Sequence, residues 1–172
     1  MSVVSVYLAL GSNMGDKEEN LKSAILNLND GKVSNIYKTS SIFVTEPKYV
    51  TDQPEFLNMV VKGTTEMDAI GLLNACKRIE KEMGRNFQER RFGPRIIDID
   101  ILFYDLEIIS EEQLTIPHPK IAERRFVLEP LAEIAGEFVH PQLQQTLTDL
   151  LNKCQDFGQV HKIKSTHSWI SH

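Results

Sequence analysis

The feature that most limits what this chain can become is the order of its periodic segments: strand, helix, strand, strand, helix, strand. Val3 to Leu10 is rich in β-branched and aromatic residues and ends at Gly11, as a buried strand does. Asp16 stands three residues before Glu19 in an N-cap arrangement, and Leu21, Ile25 and Leu28 then recur at helical spacing as far as Asn29-Asp30-Gly31. Val33 to Thr45 is strand-like in composition, Pro47 and Pro54 bracket a loop, and Asn58 to Thr65 is a further strand. The clearest helix runs from about Asp68 to Met83. Its apolar stripe is Ala69, Leu72, Leu73, Cys76, Ile79 and Met83, and Gly84 supplies a left-handed stop. An arginine-rich loop from Arg85 to Arg95 leads into the strand Ile96 to Tyr104.

Only a loop fits between 45 and 58, so the middle strands are expected to be antiparallel neighbours. The order then predicts an α+β fold, a ferredoxin-like βαββαβ sandwich, in preference to a parallel doubly wound sheet. Glu107 to Ile109 is expected to pair with a neighbour. Lys120 to Arg125, Leu128 to Ala135 and Thr148 to Cys154 form a C-terminal helical extension. A chain of 172 residues suits a single domain, with a core of about 1–154 and a tail of 155–172. His161, His167 and His172 in that polar tail match no zinc spacing, and the tail is expected to be disordered.

Net charge of -5 argues against a general nucleic-acid binder, which needs surplus Lys and Arg to displace counterions. No apolar run approaches the about 20 residues that a membrane span requires. The N-terminus lacks a basic n-region and reads as strand, not as a signal peptide. Of the two cysteines, Cys76 falls on the helical stripe as a buried free thiol, and nothing suggests a disulfide framework. The expectation is a cytoplasmic protein, acting as a monomer on small molecules.

Asp98-Ile99-Asp100 is the sharpest chemical signal. Residues two apart on a strand project from one face, so both carboxylates point together while Ile97, Ile99 and Ile101 face the core. Paired carboxylates repel unless a cation lies between them, and hard oxygen ligands of this kind suit Mg²⁺ shared with phosphate oxygens. An isolated pair of this kind is more often a solvated strand face. Here Arg85, Arg90, Arg91 and Arg95 lie just upstream, beside Gly84, Gly93 and Pro94, and guanidinium groups bind phosphate. Glu80, one turn before the loop, taken alone is an exposed helix residue. His118, held between Pro117 and Pro119, is a lone loop imidazole presented on a restricted backbone. Neither GxxxxGK[ST] nor GxGxxG occurs.

Together these segments resemble the 6-hydroxymethyl-7,8-dihydropterin pyrophosphokinase family. The likeness runs from Tyr7-Leu8-Ala9-Leu10-Gly11-Ser12-Asn13 to about Leu131. It rests on three blocks: Arg91 to Ile101, then Thr115 to Pro119 with Glu123 to Leu128, and Asp52 to Asn58. The resemblance implies transfer of diphosphate from ATP to the pterin hydroxymethyl group, with release of AMP, in folate synthesis. It implies that Asp98 and Asp100 ligate two Mg²⁺ ions around the triphosphate. Arg85 and Arg95 would contact phosphate, Arg95 and Phe92 lying on a loop that closes over the site. Glu80, Ile101, Thr115 and His118 would help to hold ATP. Thr45, Phe56, Asn58 and Phe126 would form the pterin pocket, with Arg124 near the phosphates. Three positions depart from the family pattern: Phe87 stands where many members carry arginine, Phe92 where tryptophan is commoner, and Gln113 where some are basic.

Two other classes remain open at this stage. A nucleotidyltransferase also joins a Gly-Ser turn to a DxD strand, but keeps the two close together and releases pyrophosphate. A ferredoxin-like RNA-binding module wants a basic, aromatic sheet face, and the acidic Asp98-Asp100 pair has the wrong charge for it.

Overall fold

The computed structural model describes residues 2–45, 54–84 and 95–170. The strands are β1 (Val4–Ser12), β2 (Asn35–Thr39), β3 (Ile42–Thr45), β4 (Phe56–Thr65), β5 (Asp98–Tyr104), β6 (Ile109–Ser110), β7 (Thr115–Ile116) and β8 (Val160–Lys164). The helices are α1 (Lys17–Asp30), α2 (Ala69–Glu82), α3 (Arg125–Ala135) and α4 (Leu147–Lys153). Asp16 caps α1 by accepting from the Glu19 amide, and Asp68 caps α2 by accepting from Gly71. Gly84, at φ 106°, turns the chain out of α2 in a conformation that disfavours any side chain.

The main sheet runs β5-β1-β4-β3-β8, every pairing antiparallel, with β2 and β3 sharing one edge of β4 end to end. Four of these positions reproduce the strand order of the expected βαββαβ sandwich. α1 and α2 cover one face over a core that includes Leu8, Leu21, Leu72, Cys76, Ile97 and Ile99. α3 and α4 cover part of the other, over Tyr7, Val60, Phe103, Leu128 and Leu147. Cys76 is a buried free thiol, as expected, and burial pushes it up to about 12.

The structure departs from the sequence reading at β5 and in the tail, and Val33 to Thr45 divides into β2 and β3. Tyr7 pairs with Phe103 but Leu8 pairs with Ile101, so Leu102 is an extra residue that shifts the phase of β5. Ile97, Ile99 and Ile101 face the core under α1 and α2, as expected, and past the shift Leu102 and Phe103 both face α3. The tail is ordered where it is described: β8 pairs with β3, and Thr166 donates to the Ser40 carbonyl at 2.7 Å. Lys162 bonds Glu133 at 2.8 Å, while Trp169 and Ile170 pack against the first core.

Candidate active site

Across an antiparallel ladder, opposed residues share a face. Asp98 opposes Gly11 on β1, Gly11 opposes Asn58 on β4, and Asn58 opposes Phe43 on β3. One row on the α3 side of the sheet thus carries a carboxylate, a gap and an amide. Asp100 opposes Ala9 in the next row, so the residues beside the carboxylates on β1 are as small as residues come. A Cβ at Gly11 would lie 3.1 Å from Asn58 Oδ1, which makes this glycine a spacing device in the middle of the row.

Asn58 is buried, and its Nδ2 donates to Thr45 Oγ1 at 2.8 Å. Phe56, two residues along β4, looks to the same face, and Phe126 at the start of α3 packs against the second core. Of the expected pterin residues, Thr45, Phe56 and Asn58 are therefore at one end of this face, and Phe126 lies on the helix that covers part of it. The Arg124 guanidinium lies 5.6 Å from the Phe126 ring, and its Nε is buried with no hydrogen-bond partner among the described residues. A buried donor without a partner is costly, so an acceptor supplied by a ligand would be favoured there.

On the outer side of β5 lies a cavity of about 320 Å³. α2 contributes Leu73 and Lys77, β5 contributes Ile99 to Ile101, the β6–β7 hairpin contributes Gln113 and Thr115, and His118 closes one end. Ile101, Thr115 and His118, expected around ATP, are thereby brought together. Asp100 lines the same cavity. Leu73 and Lys77 were not foreseen in this role, because Leu73 belongs to the helical stripe and Lys77 looks like an ordinary surface lysine.

Glu80 departs from its expected exposure. It is buried at 3%, and its Oε2 accepts from the Ile99 amide at 2.7 Å. β5 is an edge strand, so its outward N–H groups need partners, and Glu80 satisfies one from α2. Its place is behind the carboxylate strand, in support of it.

Arg95 is also buried. Its amide donates to Asn13 Oδ1 at 2.7 Å, its carbonyl accepts from the Asn13 amide at 3.0 Å, and its Nε lies 3.8 Å from Asp98 Oδ1. Asn13 also donates through Nδ2 to the Pro54 carbonyl at 3.1 Å, so one side chain joins the start of β5 to the approach to β4. Arg85 and Phe92, with Phe87, Arg90, Arg91 and the loop expected to close, lie outside the described residues, as do Asp52 and Gln53.

His118 is anchored through its own amide to the Leu102 carbonyl at 3.0 Å. Burial, with help from Arg124 and Lys120, pushes its imidazole down to about 4. The ring is neutral at neutral pH. Its Nδ1 accepts from the Lys120 amide at 3.1 Å, which leaves Nε2 as the N–H that can donate into the cavity.

Among known proteins, a family model described as 7,8-dihydro-6-hydroxymethylpterin-pyrophosphokinase (HPPK) matches residues 7–136. A Bacillus subtilis 2-amino-4-hydroxy-6-hydroxymethyldihydropteridine pyrophosphokinase is 47% identical over 131 residues, covering 76% of this chain and 78% of that protein. The Haemophilus influenzae protein of the same name is 40% identical over 158 residues, covering 92% and 98%. The chain spans only 21% to 27% of the length of the fungal, plant and slime-mould folate-synthesis relatives it matches. A Plasmodium falciparum HPPK-DHPS crystal structure with pteroate shares the fold at a TM-score of 0.72 and 19% identity, covering 88% of this chain and 42% of that one.

Proposed function

The chain belongs to the HPPK family, and from that premise we propose that it transfers diphosphate from ATP to the hydroxymethyl group of 6-hydroxymethyl-7,8-dihydropterin, releasing AMP, in folate synthesis. The observation that carries the reading is the position of Asp100. It lines the cavity beside β5, while Asp98, two residues away on the same strand, shares a row with Asn58, which this reading assigns to the pterin. In this reading one carboxylate pair stands between the two substrates, as a group passing from one ligand to the other requires.

Asp98 and Asp100 would hold Mg²⁺, and the reading takes two ions. No group of three or more His, Cys, Asp or Glu side chains able to hold a metal occurs among the described residues. Two carboxylates with room for phosphate oxygens fit Mg²⁺, which rarely takes an all-protein cage. When bound, the metal would neutralise phosphate charge and lower the pKa of the substrate hydroxyl.

The chain's own residues then do the positioning. The pterin ring lies between Phe56 and Phe126, its polar edge read by Asn58 as Thr45 holds the amide in orientation. His118 Nε2–H and Thr115 hold the nucleotide in the cavity, with Ile101 against its apolar part. The pterin hydroxyl oxygen attacks the β-phosphorus in line, the bond to the α-phosphate oxygen breaks, and AMP leaves. Arg95, beside Asp98, and Arg124 set positive charge around the transferring group, and Arg85 and Phe92 join them in this reading. Glu80 keeps β5 in place. The chain would act as a cytoplasmic monomer on small molecules; no described helix is long and apolar enough to cross a membrane.

The test is a product assay with ATP, Mg²⁺ and hydroxymethyl-dihydropterin. AMP together with pterin diphosphate is expected. Pyrophosphate in place of AMP would move the chain to the nucleotidyltransferases.

A further inference from the structure

The segment between α4 and β8 is pinned at both ends beside the pocket assigned to the pterin. Arg125, the neighbour of Phe126, donates from its amide to Asp156 Oδ2 at 3.2 Å and from Nε to the Asp156 carbonyl at 2.8 Å. Asp156 Oδ1 accepts from the Gly158 amide at 3.0 Å, folding the segment back on itself. Four residues after Asp156, Val160 pairs with Thr45. The span therefore runs from the residue beside Phe126 to the residue opposite Thr45.

Phe157 lies within that span with 76% of its surface exposed, more than any other exposed large apolar side chain described. A side chain so exposed contributes little to holding the fold. The segment carrying it is nevertheless fixed by backbone and side-chain hydrogen bonds, so this is an aromatic ring held in water on a segment anchored to the neighbour of Phe126 at one end and to Thr45 at the other. Aromatic rings also meet edge to face, and burying this one against a ligand recovers apolar area that folding leaves unused.

We propose that Phe157 is a further substrate-binding aromatic, which packs against the exposed edge of the pterin when the two faces of the ring are held between Phe56 and Phe126. The inference rests on the pterin reading above and gives the C-terminal segment a role in substrate affinity. Thr45 and Arg125, the neighbour of Phe126, are joined by residues 156–160, and Phe157 is the most exposed large apolar side chain described.

The experiment titrates the fluorescent oxidised analogue 6-hydroxymethylpterin into wild type, Phe157→Ala and Phe157→Trp, with Mg²⁺ and a non-hydrolysable ATP analogue present. The ATP analogue is titrated separately, and thermal melting checks the fold. Phe157→Ala should weaken pterin binding about threefold to tenfold, the size expected for one edge-to-face aromatic contact. The ATP analogue should change by less than about twofold, the melting temperature should hold, and Phe157→Trp should stay near wild type. Unchanged pterin affinity in Phe157→Ala overturns the proposal, and so does an equal loss for both ligands with a lowered melting temperature. Absence of AMP release by wild type would sink the transfer reading alone, because binding is read directly.

Discussion

The Glu80 carboxylate accepts a hydrogen bond from the Ile99 amide at 2.7 Å, so α2 holds the outer edge of the strand that carries Asp98 and Asp100. Glu80 is buried, and its removal strands the Ile99 N–H on the edge of β5. A buried unsatisfied donor costs about 1–3 kcal/mol. Glu80→Ala should therefore lose about 2 kcal/mol in urea unfolding and should speed exchange of the Ile99 amide. Glu80→Gln keeps an acceptor oxygen and should lose less stability than Glu80→Ala. Equal stability of wild type and Glu80→Ala would show that the contact does not anchor the strand.

Asp98→Ala and Asp100→Ala should leave the melting temperature near that of wild type while lowering turnover by about a hundredfold or more, the range for losing a principal charge-stabilising group. Asp100 is exposed and Asp98 half-buried, so neither change opens a core cavity. AMP release at saturating Mg²⁺ reads the result. Near-normal turnover in either variant would remove that residue from the metal site.

Asn58 and Gly11 form a linked pair. Asn58→Ala should weaken pterin binding by about tenfold and leave ATP binding nearly unchanged, since an unpaired polar edge on the ligand costs about 1–3 kcal/mol. Gly11→Ala should act in the same direction through Asn58, because the new methyl would sit 3.1 Å from its Oδ1. Equal losses for ATP and pterin would assign both residues to the fold.

What could be read in advance divides along physical lines. Asp98 and Asp100 were legible because period two is a property of the strand itself, and α2 because its stripe repeats at 3.6 residues. Burial of Glu80 was not, because it depends on an unpaired backbone donor belonging to another element, visible only once β5 is known to be an edge. β8 left no signal: four of its five residues are exposed, so it lacks the alternation that marks a half-buried strand. The extra residue Leu102 was equally silent, since Ile101, Leu102 and Phe103 are all apolar and hide the change of phase. Leu73 and Lys77 reach the cavity only because the fold brings α2 and the β6–β7 hairpin together beside β5.

His118 links the site to pH. In the folded chain its imidazole is held down to about 4, against 6.5 for the free group, chiefly by burial and then by Arg124 and Lys120. Between those two values the unfolded chain binds a proton that the folded chain does not. Stability from this residue is therefore fully present above pH 6.5 and is lost as the pH falls toward 4. The full difference is on the order of 3 kcal/mol. Wild type should thus lose stability on acidification across this window faster than His118→Gln, in which no proton can bind. Urea unfolding of both proteins at several pH values between 4 and 7 measures it, and parallel curves would show that His118 titrates alike in the folded and unfolded chains. Because the ring stays neutral with Nε2 protonated, the pH profile of turnover should show no break near 6.5 assignable to His118, and a break there that His118→Gln abolishes would mean that the imidazole is charged in the working enzyme.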